Sequence, residues 1–300
     1  RDLDSSLVGS EMCIRDRRYM PNIRSEAPRR MDWRGFALAG PGVGALISGV
    51  TLAGTDVVAL WFAQALIAAG FALLVFYIRH ALSVPEPLLD LRLLKLPTFR
   101  TSVVGGGLFR LGTGAIPFLL PLMLQVGFGL TPFQSGMIMF SGALGALLMK
   151  FAARPVLRRF GFRQVLTVNA LICAAMLGLY ALFTPETPHI VIGLVLLAGG
   201  FFRSLQFTCL NASAFADVDE KSMSGATAMV AVAQQLFLST GVAMAAFILE
   251  TLRAAGDSGQ LTPGDFSVAF LVVAGLTTLA AIMHGRLPRD AGRAVSGHRS

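Results

Sequence analysis

Charge is scarce in this chain. Asp, Glu, Lys and Arg make up 14% of its 300 residues, against about a quarter in a soluble domain, while 54% of the chain is hydrophobic. So much apolar surface with so little charge to cover it excludes an ordinary water-soluble class. Cysteine is almost missing. Cys13, Cys173 and Cys209 form no CxxC pair, which argues against a disulfide framework or a thiolate metal site. The four histidines, His80, His189, His284 and His298, lack ligand spacing; lying at the ends of apolar runs or in the tail, they read as interfacial or solvated. No Asp or Glu stands in the middle of an apolar run. No His/Asp/Glu cluster or Ser/His pair shares a common depth, so intramembrane hydrolysis lacks its chemistry.

What the chain does have is apolar runs of about twenty residues along almost its whole length, the mark of a polytopic helical membrane protein. The fold class is therefore all-α, with eight spans expected: 35–53, 57–78, 101–125, 133–153, 164–183, 189–210, 223–249 and 264–284. The formal charge of +8 comes from short basic clusters between these runs. A positive-inside bias explains them better than nucleic-acid binding. Setting aside residues 1–17, 22 Lys and Arg remain, of which 19 fall on one side of this topology, only Arg253 falls on the other, and Arg110 and Arg203 lie within spans. Both ends are then cytoplasmic and the expected location is the bacterial inner membrane, with the lipid bilayer as partner. Residues 1–17 match nothing that follows; the string from Ser6 to Arg17 resembles translated sequencing-adaptor sequence, and the natural sequence is expected to begin near Arg18 in mid-gene.

The stretch from Thr101 to Arg163 is the informative one. Arg110 lies about nine residues into its span, roughly 14 Å deep and near the midplane. Gly114, Pro117, Pro121 and Gln125 follow at steps of four, three, four and four, placing all five on one helical stripe. A guanidinium and two proline-freed carbonyls are costly in hydrocarbon, so the stripe is expected to face protein or a water-filled cavity. Arg110 then either meets an anionic group or ties to backbone carbonyls or a neighbouring helix. Arg203 is expected to line the cavity or to reach towards the cytoplasm. Gln125, Gln206, Asn211, Gln234 and Gln235 offer amides for a cavity wall or for helix-to-helix hydrogen bonds. Gly40 and Gly44 form a GxxxG pair suited to close helix contact. Arg154, Arg158, Arg159, Gly161 and Arg163 belong to the densest basic loop.

Three stretches together resemble the major facilitator superfamily, specifically its fourteen-span drug:proton antiporters of the EmrB/QacA type. They are Asp32 to Phe36 leading into a Gly-rich span; Phe118 to Gln125 with Gly129 to Gly136 and the basic loop to Arg163; and Arg203 to Asn211 with Ser224, Gly225, Gln234 and Gln235. The resemblance implies a basic linker at 18–34, two linker helices at 35–80, a cytoplasmic loop at 81–100, a six-helix C-terminal bundle at 101–285 and a cytoplasmic tail at 286–300. It also implies a missing N-terminal six-helix bundle. The expected function is proton-coupled efflux of small lipophilic or amphipathic molecules by alternating access, with no cofactor beyond the proton gradient. Coupling needs a titrating group, expected in the missing half. A complete eight-span sensor or assembly protein, starting near Met20 or Met31, and a membrane enzyme are the alternatives.

Overall fold

A computed structural model describes residues 32–53, 59–84, 87–219, 222–256 and 260–288. The chain divides into Arg1–Met31 and Asp32–Ser300, and every described residue lies in the second unit. The expectations for residues 1–17, for most of the 18–34 linker, and for His298 in the tail therefore lie outside the described residues.

Among the described residues, eight helices are long and apolar enough to cross a bilayer: α1 (Trp33–Ala53), α2 (Leu60–Ser83), α3 (Pro97–Gly127), α4 (Pro132–Phe151), α5 (Arg159–Tyr180), α6 (His189–Ala214), α7 (Met223–Ala255) and α8 (Pro263–Gly285). No strand occurs among the described residues. At 1.5 Å per residue even the shorter helices reach about 30 Å, the thickness of the hydrocarbon core. Two helix starts are written in the sequence: Pro132 and Pro263 each occupy the first turn, behind capping boxes made by Thr131 with Gln134 and by Thr262 with Asp265. Large side chains such as Trp61, Phe71, Phe133, Phe151, Ile190 and Phe247 are exposed around the outside. On a protein in water such a surface would drive aggregation; on a multi-pass membrane protein it faces lipid.

Several helices outrun their expected ends. α7 continues to Ala255, so Glu250 and Arg253, expected in a loop, are helical and form a bidentate ion pair one turn apart. α6 continues to Ala214, which makes Asn211 helical as well. The basic loop is not a loop either. Helix runs through Lys150 and Pro155 to a sharp break at Gly161, whose φ of 70° and ψ of 168° suit glycine. There Arg159 lies over the Phe160 ring, 5.7 Å from its centroid, and the Arg163 carbonyl accepts from the Thr167 hydroxyl. The side chains of Arg154 and Arg158 lie outside the described residues. We refer to the Gly161 end of the helices as the basic end.

Packing is decided by where backbones approach. In the α1–α2 hairpin the expected GxxxG pair is not the contact: Gly40 and Gly44 are exposed, with nothing within 4 Å of where a Cβ would stand. Gly42 and Gly49, two turns apart on the opposite face, meet α2 instead, and Gly70 of α2 meets the α1 backbone at Leu46. The hairpin's basic end is clamped by Asp32, whose carboxylate accepts from Gly35 N–H (2.8 Å) and Leu88 N–H (3.3 Å) and pairs with His80 Nε2 (2.9 Å). Burial alone would raise the Asp32 carboxyl. The Gly35 N–H, the His80 ring and the Leu88 N–H outweigh it and hold the group below its ordinary value. α1 also packs on α7, while α3, the most enclosed of the eight, lies against α7 and α8. α4 and α6 cross tightly where Gly145 and Gly200 face the carbonyls of Leu197 and Gly142.

Candidate functional site

The residues of the α3 stripe meet different surroundings. Two wider turns, Thr101–Gly105 and Met123–Gly127, shift the register at either end, and Pro117 cannot donate to the carbonyl one turn earlier, which breaks the helix at Ala115. Arg110 is buried, 2% exposed, and Gly114 is pressed against Leu238 of α7. Pro117 stands free on the wall of a cavity. Pro121 is half-buried, and Gln125 Nε2 reaches Ser135 Oγ of α4 at 3.5 Å.

Of the two readings of Arg110, the structure shows the tie. Nη1 donates to the Ser102 carbonyl (3.4 Å) and Nη2 to Asn211 Oδ1 (3.2 Å), while the guanidinium carbon lies 5.5 Å from the Phe207 ring centroid. Gly106 leaves the space: a Cβ there would stand 2.7 Å from Nη1. Asn211 Oδ1 also accepts from Gln234 Nε2 at 2.9 Å, so one amide oxygen joins α3, α6 and α7. Nε has no partner, and no carboxylate pairs with Arg110 among the described residues. Arg110 does not line the cavity.

That cavity, of about 440 Å³, is walled by α3 (Thr113, Gly114, Ile116, Pro117, Leu120), α4 (Met139, Gly142), Tyr180, α6 (Leu196, Arg203, Phe207) and α7 (Gln235, Leu238, Ser239, Val242). Its surface is mostly apolar, with a few polar groups that could fix a ligand's orientation. Arg203, half-buried, stays on this wall rather than reaching for the basic end. Gln235 Nε2 donates to Ser239 Oγ at 3.4 Å. The cavity thus brings together Gly114, Pro117, Arg203 and Gln235, and leaves Arg110, Gln125, Gln206, Asn211 and Gln234 outside its wall.

Gln206 makes helix-to-helix hydrogen bonds, in a buried knot whose other members, Asn169 and His284, sequence reasoning did not connect to it. Asn169 Nδ2 donates to the Phe202 carbonyl and to Gln206 Oε1, both at 2.8 Å; Gln206 Nε2 donates to the Leu166 carbonyl (3.0 Å) and lies 3.4 Å from His284 Nδ1. His284 is 0% exposed, which corrects its reading as an interfacial residue. Its position at the end of a span misled, because α8 ends inside the bundle, against α5 and α6. The only available signal was Asn169 itself, a polar residue amid an apolar run.

Residues 33–242 and 102–298 match the sequence family described as the Major Facilitator Superfamily. Relatives described as "Putative multidrug resistance protein MdtD" in Salmonella heidelberg (strain SL476) and Salmonella paratyphi A (strain ATCC 9150 / SARB42) are each 30% identical over 273 residues, covering 90% of this chain and 58% of the relative. The chain therefore spans little more than half the length of these relatives. The extent of the family match, with eight membrane-spanning helices behind it, is decisive: this chain belongs to the Major Facilitator Superfamily.

Proposed function

We propose that this chain supplies one wall of the transport cavity of an inner-membrane exporter, which moves small lipophilic or amphipathic molecules outward in exchange for protons. The observation that carries the reading is the cavity: apolar walls on five spanning helices, with Arg203 and Gln235 among its polar groups. A mostly apolar wall accepts varied cargo through area rather than through a fixed hydrogen-bond pattern. The relatives' description as multidrug resistance proteins supports the same reading. In it the basic end is cytoplasmic, following the Lys and Arg distribution. A second six-helix bundle completes the cavity and rocks against α3 to α8 to open it to either side. The coupling carboxylate belongs to that second bundle.

The test expresses the complete reading frame containing this chain in bacteria stripped of their own exporters and follows accumulation of a panel of fluorescent dyes, ethidium included. Lower accumulation of at least one dye, restored by a protonophore, is expected. No change across the panel would contradict the proposal.

A further inference from the structure

Resting on the exporter reading and naming its substrate class, we infer that the cargo is an amphipathic organic anion, a carboxylate or sulfonate on an apolar body, received by Arg203. Arg203 is the only charged residue among the fifteen that wall the cavity; no Asp or Glu is among them. It lies fourteen residues into α6 and eleven from its end, about 16 Å along the helix from the nearer terminus, and its half-buried side chain stands on the cavity wall. Its guanidinium makes no hydrogen bond or ion pair within the described residues, whereas Arg110 is held by Ser102, Asn211 and the Phe207 ring. A guanidinium on a mostly apolar cavity wall, with no counter-charge or hydrogen-bond partner among the described residues, is left to the cavity's water, and an anion arriving there gains a charge-assisted contact.

Arg110 reinforces the sign. Phe207 carries the Arg110 guanidinium near its ring and also forms part of the cavity wall. Behind a thin aromatic partition stands a second positive charge that no carboxylate neutralises among the described residues. Gln235, Ser239 and Tyr180 add polar groups suited to carboxylate or sulfonate oxygens, and the apolar wall takes the body of the molecule. A cationic cargo would meet repulsion on this wall.

Fluorescein and rhodamine 123 share a xanthene skeleton and differ in charge, which makes them a matched pair of probes. Two readouts separate the cavity's preference from the transport assignment. In the first, the purified product of the complete reading frame in lipid nanodiscs is titrated with each dye and binding is read by fluorescence anisotropy. Fluorescein is expected to bind more tightly, Arg203→Gln to weaken it about tenfold or more, Arg203→Lys to keep the preference, and Arg203→Glu to reverse it towards rhodamine 123. Thermal unfolding of each variant confirms that it is folded. Equal binding of the two dyes, or a fluorescein affinity unmoved in a folded Arg203→Gln, overturns the inference. In the second, cells expressing the complete reading frame are loaded with fluorescein as its diacetate ester. Export of fluorescein that Arg203→Gln abolishes supports the inference. Export of rhodamine 123 alone overturns it while leaving the exporter reading in place. A fluorescein preference in nanodiscs with no export of any dye upholds the anion site and contradicts the exporter.

Discussion

The crossing of α4 and α6 gives the sharpest test of the packing. A methyl group added at Gly145 would lie 2.8 Å from the Leu197 carbonyl carbon and 3.0 Å from Phe201 N, and one at Gly200 would lie 2.8 Å from the Gly142 carbonyl carbon and 2.9 Å from Gly142 Cα. Non-bonded carbons rest about 3.5–4.0 Å apart, so either alanine forces the two backbones apart by roughly 0.7 to 1 Å. The obstacles are main chain and cannot rotate away. A gap of that width forfeits a quarter to a half of each contact it opens, and overpacking of this kind costs about 1–3 kcal/mol. At about 2–4 °C per kcal/mol, Gly145→Ala and Gly200→Ala should each lower the midpoint of thermal unfolding by about 2–12 °C. Gly40→Ala and Gly44→Ala, with open space at the Cβ position, should leave it unchanged or raise it slightly. A thiol-reactive fluorophore reports the transition through Cys173 and Cys209, both buried in the folded state, with Cys13 replaced by Ser. Equal effects at all four glycines would refute the reasoning.

Three further outcomes follow from particular hydrogen bonds. Asn211→Ala removes the acceptor shared by Arg110 and Gln234 and should cost about 1.5–3 kcal/mol in the same unfolding assay; a change too small to resolve would contradict the tie. Gln206→Leu takes a partner from Asn169, from the Leu166 carbonyl and from His284 at once, and should destabilise more than His284→Leu, which takes one partner from Gln206 and leaves it bonded to Asn169 and Leu166. The Asp32 carboxyl is held below its ordinary value of 3.8, so the stability its clamp contributes is fully present above pH 3.8 and is lost as pH falls through the lower folded value. The unfolding midpoints of wild type and Asp32→Asn should therefore differ near neutral pH and converge in acid; a gap that persists under acid conditions would show that the carboxylate's charge is not what holds the clamp.

The spans were legible because hydrocarbon imposes one rule on every residue that enters it: about twenty apolar side chains in succession read the same whatever they pack against. Ends were harder. Glu250 and Arg253 looked like the start of a loop, yet a helix leaving the bilayer has no reason to stop at its first charge, and α7 runs on to Ala255. The depth of Arg110 could be read from its position in the span; its partners could not. Asn211 lies 101 residues away, and the two wider turns of α3 leave no mark in the periodicity. Spacing alone also misplaced the helix contact in the hairpin, because GxxxG says that a face is small, not that a partner lies against it. Gly42 and Gly49 carry the same information at a less familiar interval. His284 failed for a related reason: its surroundings are set by Asn169 and Gln206 from two other helices.

Ser239 stands on the cavity wall, so its accessibility tests the central claim, that this wall opens to each side of the membrane in turn. With Cys13 replaced and Cys173 and Cys209 buried, Ser239→Cys in the complete reading frame provides a nearly isosteric reporter for a membrane-impermeant maleimide. Labelling from both sides is expected, in proportions that shift when a proton gradient is imposed and that fall when cargo is bound. Labelling from one side alone, unmoved by the gradient, would contradict alternating access.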